Sequence, residues 1–538
     1  MATSLKQSST LVIDDFQSMR AMLSSFLKSM GVAKIDNAAT AKEALALLAA
    51  KKYDIVVCDY NLGQGQNGQQ ILEEAKYKNH IGYSTIWVMV TAEKTMDMFM
   101  GAAETRPDDY LLKPITEALL EARLSKLIEK KRSLQPIEEA VSGKDYIKAI
   151  ALCDELLKTH STSTQELQRI KSDLLMMIGD FPAALDYFES IQRVRSMPWA
   201  KTGLGKVYFM TREYAKAKAI FQEILEENKM YLEAADWLSR TLDAMGELDQ
   251  AQNVLTRAMT ISPNAALRQK NLADLAYRNG AFDLAHTSYE KAIKLGEHSV
   301  HKSPSVYSGL ARVLTAKNDP TEALRVLERS RGEFKNDPDA ALQSAVIEGM
   351  AYQKLGQREK AQAALDLAEE LMAGQPGNVS STVAMDMAAA LFKIGDKDKA
   401  CELLESVVKN NHENAGVIGQ VGAVFEKAGL AAEGNELIRK STEEVVGINN
   451  QGVMLANEGR FEEGIDLMRK ALQVLPNNDL MIANLCGMLI GLMSRDGKDD
   501  RLLSEARERL DRVRQLNPNN KKYNTYMNML SKLASLPA

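Results

Sequence analysis

LGKVYFMTREYAKAKAIFQEIL, residues 204–225, contains the pattern that decides the fold of most of this chain. In it a small residue, Ala217, is followed four places later by Phe221 and three places after that by Ile224. This spacing puts the three side chains on one face of a helix, where the small residue lets a second helix approach and the larger ones fill the space between. A single copy would indicate only an amphipathic helix, whereas repetition indicates an array of similar units.

The pattern recurs throughout the chain after residue 132. Its small residues are Ala149, Ala184, Ala217, Ala251, Ala285, Ala323, Ala361, Ala400, Gly434, Gly464 and Ala506. Their spacing centres near roughly 34 residues, the length of a tetratricopeptide repeat of two antiparallel helices. Glycine recurs where the two helices would turn, as at Gly246 and Gly356. We therefore expect residues 131–538 to form an all-α tetratricopeptide solenoid of about eleven helix pairs.

Residues 1–130 follow a different pattern, in which short apolar runs alternate with amphipathic stretches. The strongest runs are residues 10–13, 55–58 and 86–90, and weaker ones lie at 34–37 and 110–112. This alternation predicts five βα units, that is, an α/β domain with a parallel, doubly wound sheet. The ligand site of such a sheet lies at the carboxyl ends of its strands.

Polar side chains stand at the ends of these strands. Asp14 and Asp15 follow the first run, Asp59 and Thr91 end the third and fourth, and Lys113 follows the fifth. Clustered carboxylates repel one another unless a divalent cation lies among them, and Mg²⁺ prefers such oxygens. A carboxylate can also attack phosphorus while a metal and a lysine neutralise the transferring group. The set predicts a phosphoryl acceptor, to which Thr91 would offer a hydroxyl donor.

These segments resemble the receiver domain of two-component response regulators, the fold of the chemotaxis regulators. The matching pieces are the acidic pair at 14–15, CDYN at 58–61, VTAE at 90–93 and DDYLLKP at 108–114. One piece departs from the family: after the acceptor the chain reads NLGQGQNG, residues 61–68, without the usual proline and one residue longer. We expect this glycine-rich loop to be more mobile than its counterparts.

The resemblance implies a role for each site residue. Asp59 would be the phosphorylated residue, and Thr91 and Lys113 would bind the phosphoryl group. Asp14, Asp15 and Asp59 would hold Mg²⁺ together with the backbone carbonyl of Asn61. Tyr110 would be the aromatic switch that turns inward on phosphorylation.

Composition excludes several other classes of protein. The 538 residues include 67 Lys+Arg and 72 Asp+Glu, a net charge of −5, which argues against a general nucleic-acid-binding surface. The four cysteines lie far apart, so neither a disulfide framework nor a zinc cluster is expected. The N-terminus lacks a signal-peptide pattern, and no apolar stretch reaches the roughly 20 residues that cross a bilayer. We expect a cytoplasmic protein without membrane insertion.

Taken together, the two parts predict a response regulator of a two-component phosphorelay whose output is protein binding. A sensor histidine kinase would donate the phosphate, and the groove of the repeat array would bind a partner protein. Residues 134–538 show no phosphate loop, nucleophile elbow or metal cluster, so we expect no enzyme activity beyond Mg²⁺-dependent self-phosphorylation and dephosphorylation at Asp59.

Two other outputs stay open at this point. The protein could act on its own kinase pathway, as a phosphorylation-dependent inhibitor or a phosphate sink. A transcriptional output is less favoured, because the sequence has no basic helix-turn-helix signature. Homodimerisation, through one receiver face or the ends of the array, is compatible with either output.

Overall fold

The computed structural model describes residues 5, 8–63, 65–92, 105–159, 164–374, 379–517, 520 and 522–534, without the side chains of Lys130, Ala415 and Asn524. A parallel sheet occupies the first part of the chain. Its strands are β1 Ser9–Ile13, β2 Lys34–Ala38, β3 Ile55–Asp59, β4 Ile86–Thr91 and β5 Asp109–Leu112. They lie in the order β2-β1-β3-β4-β5, and all pairs are parallel, which confirms the predicted fold class.

Helices cover both faces of the sheet, and as a result every strand residue of β3 and β4 is buried. They are α1 Gln17–Ser29, α2 Ala41–Ala50, α3 Gly68–Tyr77 and α4 Glu117–Arg132. Alternate residues of one strand enter separate cores, so that Val57 packs with one set of helices and Val56 with the other. The helix expected between β4 and β5 falls on residues 93–104, outside the described residues.

The remainder of the described chain is helical. Its first helices are α5 Gln135–Ser142, α6 Tyr146–Lys158, α7 Thr164–Ile178, α8 Phe181–Val194, α9 Pro198–Met210, α10 Tyr214–Glu227, α11 Leu232–Ala244, α12 Leu248–Ile261, α13 Ala266–Arg278, α14 Phe282–Gly296 and α15 Pro304–Ala316. The others are α16 Pro320–Glu333, α17 Pro338–Lys354, α18 Arg358–Ala373, α19 Ser381–Ile394, α20 Lys397–Asn411, α21 Ala415–Lys427, α22 Ala431–Asn457, α23 Phe461–Val474, α24 Asp479–Asp496, α25 Asp500–Leu516 and α26 Tyr523–Ala534.

The repeated small residues hold the helices of each pair together. Ala217 lies in the second helix of its pair, α10, and Phe221 one turn later is fully buried. A Cβ atom added at Gly205 on α9 would lie 2.5 Å from the Phe221 ring, so the ring fits only against a glycine. First helices of successive pairs, such as α17 and α19, contact one another directly. These first helices therefore form the inner layer of a curved array.

Left-handed residues make the turns within pairs. Gly246 and Gly356 have φ angles of +79° and +71°, which glycine adopts without steric cost. Where a pair has no glycine at this place, Arg212 and Asn318 adopt the same conformation, with φ angles of +62° and +68°. The turn geometry is therefore retained even where the sequence lacks its glycine signal.

One interval in the repeat differs from the sequence expectation. α22 runs for 27 residues without a break, and it supplies the second helix of one pair and the first helix of the next. The short spacing between Gly434 and Gly464 has this cause, because no turn separates the two helices.

The division of the chain at residue 130 stays a prediction, since α4 continues to Arg132 and only two residues separate it from α5.

None of the described helices combines the length and apolar character that a bilayer-spanning segment requires.

Candidate functional site

The carboxyl ends of β1 and β3 bring three carboxylates together. Ile13 pairs with Cys58, so Asp14 and Asp59 follow at neighbouring positions on adjacent strands. One oxygen from each of Asp14, Asp15 and Asp59 lies within 4.8 Å of the others. Asp14 is fully buried and Asp59 is 5 % exposed, so solvent screens their charges poorly.

Lys113 supplies the opposing charge from the end of β5. Its Nζ atom lies 2.8 Å from Asp59 Oδ2 and 3.1 Å from Asp14 Oδ2. Burial alone would lower the pKa of Lys113, but the two carboxylates raise it above its usual value. The ammonium group therefore stays charged beside Asp59. The Lys113 side chain reaches Asp59 past the end of β4, which lies between β3 and β5.

The protonation of Asp59 reflects two opposing effects. Burial raises the pKa of Asp59 most strongly, the hydrogen bond from Lys113 lowers it, and the nearby Asp14 raises it again, so that it lies above its usual value. The backbone N–H of Asn61 donates to the same carboxylate. A further cation at this edge would favour the ionised, nucleophilic form of Asp59.

The three carboxylates fit a divalent cation. Within the described part of the chain, Asp15 Oδ1 is buried without a hydrogen-bond partner, although a buried carboxylate oxygen is costly to leave unpaired. Together with the oxygens of Asp14 and Asp59, it forms a hard-oxygen donor set of the kind that Mg²⁺ prefers. The residues present therefore suit magnesium.

Backbone contacts fix the acidic pair in place. The N–H of Phe16 donates to Asp14 Oδ1 at 2.8 Å. The Arg20 Nη1 atom donates to the carbonyl oxygens of Asp14, at 2.7 Å, and Asp15, at 3.1 Å. Arg20 was not identified from the sequence. The pattern that could have indicated it is a cationic residue in the first turn of the helix that follows the acidic pair.

The glycine-rich loop after β3 has hydrogen bonds of its own. Gly63 and Gly65 have φ angles of +75° and +102°, conformations that favour glycine. The N–H of Gly68 donates to the Tyr60 carbonyl at 2.8 Å, and Asn67 Oδ1 caps α3 through the N–H of Gln70 at 2.9 Å. The extra mobility expected of this loop stays a prediction, and Gln64 lies outside the described residues.

Thr91 and Tyr110 take different positions relative to Asp59. Asp59 pairs with Val90, so Thr91, 2 % exposed, is the next residue on the adjacent strand. The Tyr110 ring packs inward against the core that contains Val56, and its buried hydroxyl has no hydrogen-bond partner among the residues that the structure describes. Burial raises the pKa of Tyr110 to about 12. Its role as a switch stays a prediction.

Comparison with known proteins gives relatives for the first part of the chain. The chemotaxis protein CheY-3 of Vibrio cholerae serotype O1 is 29% identical over 125 residues, which are 23% of this chain and 95% of that protein. The chemotaxis protein CheY of Pseudomonas aeruginosa is 28% identical over 120 residues, 22% of this chain and 95% of that protein.

Solved structures match each part separately. CheY4 of Vibrio cholerae is 24% identical, covers 22% of this chain and 98% of its own, and has a TM-score of 0.21. A tetratricopeptide repeat protein from Parabacteroides merdae is 14% identical, covers 49% of this chain and 99% of its own, and has a TM-score of 0.34.

Family models identify both parts of the chain. Residues 10–125 match the response regulator receiver domain, and residues 270–341 and 383–411 match the tetratricopeptide repeat. The α/β domain is therefore a response-regulator receiver domain, and the helical part contains tetratricopeptide repeats.

Proposed function

We propose that this chain, a receiver domain joined to a tetratricopeptide repeat array, is a response regulator that accepts phosphate on Asp59 and signals by binding a protein. The observation that carries the proposal is the contact of Asp59 with Lys113 at 2.8 Å, within a cluster of three carboxylates. This arrangement supplies a nucleophile, a cation for the phosphoryl oxygens and a metal-binding set at one edge of the sheet.

In the proposed reaction, an oxygen of Asp59 attacks the phosphorus of a phosphohistidine on a sensor histidine kinase. A phosphorus–oxygen bond forms, the phosphorus–nitrogen bond breaks, and the imidazole leaves with the electron pair. Lys113 and the Thr91 hydroxyl would bind the phosphoryl oxygens. Asp14, Asp15, Asp59 and the carbonyl of Asn61 would hold Mg²⁺, which neutralises charge on the transferring group.

The output in this proposal is a change in what the array binds. The receiver offers a switch through Tyr110, and the curved inner layer of helices offers a protein-binding surface. α4 leads into α5 with only two residues between them, so a change in the receiver would reach the array without a flexible linker. The proposal places the protein in the cytoplasm, with the phosphohistidine donor.

The test is phosphorylation of the purified full chain by acetyl phosphate with Mg²⁺, measured on phosphate-affinity gels. We expect the wild-type chain to be phosphorylated, Asp59→Asn to show no phosphorylation, and removal of Mg²⁺ by EDTA to abolish the reaction. Asp54→Asn, at the opposite end of β3, is the matched control and should behave as wild type. Equal phosphorylation of Asp59→Asn and wild type would overturn the assignment of the acceptor.

A further inference from the structure

Four groups of polar contacts join the described residues of the receiver and the array, and the first lies on α5. The backbone N–H of Ser84, just before β4, donates to Glu138 Oε2 at 2.8 Å, and the Ser84 hydroxyl donates to the same oxygen. A Cβ atom added at Gly82 would lie 2.1 Å from Glu138 Oε1. The two parts of the chain therefore fit closely here, without room for a side chain at Gly82.

A buried lysine forms the second contact. Lys131, near the end of α4, is only 7 % exposed. Its Nζ atom donates to the Tyr83 carbonyl at 2.8 Å and lies 2.9 Å from Asp108 Oδ1 and 3.1 Å from Glu166 Oε1. Glu166 is on α7, so this cation joins receiver and array groups.

An arginine forms the third contact, farther along the array. Arg106 Nη2 lies 2.9 Å from Glu233 Oε2 at the start of α11, and Lys206 Nζ lies 2.6 Å from the other oxygen of Glu233. Lys76 donates to the carbonyl of Arg106 at 3.0 Å and so holds the backbone there. Burial raises the pKa of Glu233, but Lys206 and Arg106 together lower it below its usual value.

The fourth contact involves the loop before α15. His301 Nε2 lies 3.0 Å from Glu73 Oε1 on α3, and the His301 and Tyr77 rings meet edge to face at 6.0 Å between centroids. Beside it, a cavity of about 410 Å³ separates the receiver residues Thr40, Gly65 and Gln66 from array residues 297–299. The receiver thus reaches the fifth helix pair of the array.

The array side of each contact lies on the first helix of a pair or on the loop that leads into one. α5, α7 and α11 are first helices of their pairs and belong to the inner layer, and the loop at His301 leads into another first helix, α15. In the second contact Lys131, at the junction of the two parts, bridges Asp108 of the receiver and Glu166 of the array. In the third, Arg106 of the receiver meets Glu233 of the array. Glu166 and Glu233 therefore each accept a cationic side chain on a first helix of the array.

We propose that the inner face from α5 to the loop before α15 is a binding surface for protein segments that present lysine or arginine, and that the receiver of the same chain occupies it here. A partner that displaces the receiver would then supply its own cations in place of Lys131 and Arg106, because Glu166 and Glu233 would each lose one of the cations that they contact here. This inference rests on the proposed function only in taking the array as the output surface.

Receiver docking is tested on the full chain by zero-length carbodiimide crosslinking, which joins Lys131 to Glu166 across the interface. In every variant the yield is normalised to the crosslink between Lys201 and Glu223, which lies within the array. We expect Arg106→Glu to reduce the Lys131–Glu166 crosslink about fivefold, as loss of about 1 kcal/mol predicts. Glu233→Arg should act likewise, and the double variant should restore the crosslink by exchanging the charges.

Arg123→Glu is the matched control. Its side chain is 51% exposed, as is that of Arg106, and it pairs with Asp109 within the receiver at 3.5 Å. It should leave the crosslink unchanged. Protection of the β1 and β3 amides from hydrogen exchange in each variant shows that the receiver is folded. A crosslink that survives both single charge reversals, or that the double variant fails to restore, overturns receiver docking.

The partner chemistry is tested with a labelled, acetylated nona-arginine peptide and fluorescence anisotropy. Arg106→Glu and Arg123→Glu change the net charge equally, so general attraction of the peptide rises equally in both. We expect Arg106→Glu to bind about fivefold more tightly, because it frees the inner face. Adding Glu166→Gln and Glu233→Gln to the Arg106→Glu variant should remove this gain in affinity for the peptide. Equal affinities of the two arginine variants would overturn the proposed specificity, whether or not Asp59 accepts phosphate.

Discussion

Asp59 illustrates how burial and charge set the chemistry of one residue. Burial favours its protonated form, while Lys113 at 2.8 Å and the N–H of Asn61 favour the carboxylate. Lys113 follows β5, which β4 separates from β3, and Asn61 lies in the loop directly after β3, so the balance depends on how the ends of these strands are held. A substitution that moves the end of β3 should therefore affect reactivity as well as stability.

Gly68 allows a direct test of this dependence. A Cβ atom there would lie 2.1 Å from the Asp59 carbonyl oxygen and 2.9 Å from Cys58 Sγ, so Gly68→Ala must shift the backbone at the acceptor. We expect a loss of about 1–3 kcal/mol in receiver stability, the usual cost of overpacking, and slower phosphorylation by acetyl phosphate. Hydrogen exchange of the β3 amides and the phosphorylation rate measure the two effects.

Gly332→Ala is the matched control for this substitution. Gly332 lies in α16, has an ordinary backbone conformation and has open space where the Cβ would stand. Alanine is favoured over glycine in a helix, so this variant should be neutral or more stable by up to about 1 kcal/mol. Normal phosphorylation of Gly68→Ala, with unchanged exchange in β3, would show that the loop accommodates the methyl group.

At the scale of single residues, local patterns predicted some site groups and could not predict others. Asp59 and Lys113 follow apolar runs, so the rule for strand ends was enough to place them at one edge. The contact of Arg106 with Glu233 joins residues 127 positions apart in two different folds. No periodicity relates such residues, because docking depends on the shapes of two finished surfaces.

At the scale of elements, α3 and the loop before α15 are joined through one titratable group. The hydrogen bond to Glu73 raises the pKa of His301 above 6.5, which exceeds the opposing effect of burial. A raised pKa in the folded state means that the pair stabilises docking fully below pH 6.5 and that this contribution is lost as the pH rises through the folded value. Docking at this contact should weaken in mildly alkaline buffer.

Histidine-selective NMR titration of the full chain measures this pKa. We expect a value above 6.5 for His301 in the wild-type chain and a lower one in Glu73→Gln. Glu74→Gln is the control, since Glu74 bonds Lys78 and Gln66 instead. An unchanged His301 titration in Glu73→Gln would show that α3 and this loop are apart in solution.

The helices of the repeats, whose apolar residues recur with a clear period, agree with the sequence expectation except at α22. The interval between Gly434 and Gly464 was short, but nothing local marked a continuous helix there. Gly447 lies inside α22, at the place where other pairs have a turn between one pair and the next. It nevertheless stays helical, because the chain between the two small residues is too short for a separate turn.

At the scale of the whole molecule, the receiver and the array have separate cores but touch along the inner face. The sheet packs within two clusters of its own, and Leu134 and Ile137 begin the first cluster of the array, against which Tyr83 of the receiver also packs. The array also coils back on itself, where Arg212 Nη1 lies 3.5 Å from the Glu413 carbonyl beside a cavity of about 1080 Å³. That contact is long, so most coupling should pass between neighbouring pairs.

Hydrogen exchange with and without beryllofluoride and Mg²⁺, a mimic of the phosphorylated acceptor, measures how far coupling extends. A ligand that binds only the folded receiver stabilises it by about 2.7 kcal/mol at one hundred times its Kd, so exchange of the most protected β1 and β3 amides should slow up to about 100-fold. The effect should decrease through α5 and α7 and vanish by α24, because each pair contacts mainly its neighbours. Asp59→Asn should show no slowing anywhere. Equal slowing in α24 and β3 would instead mean that the chain unfolds as one cooperative unit. The contacts between receiver and array would then contribute as much to the free energy of unfolding as the two hydrophobic cores.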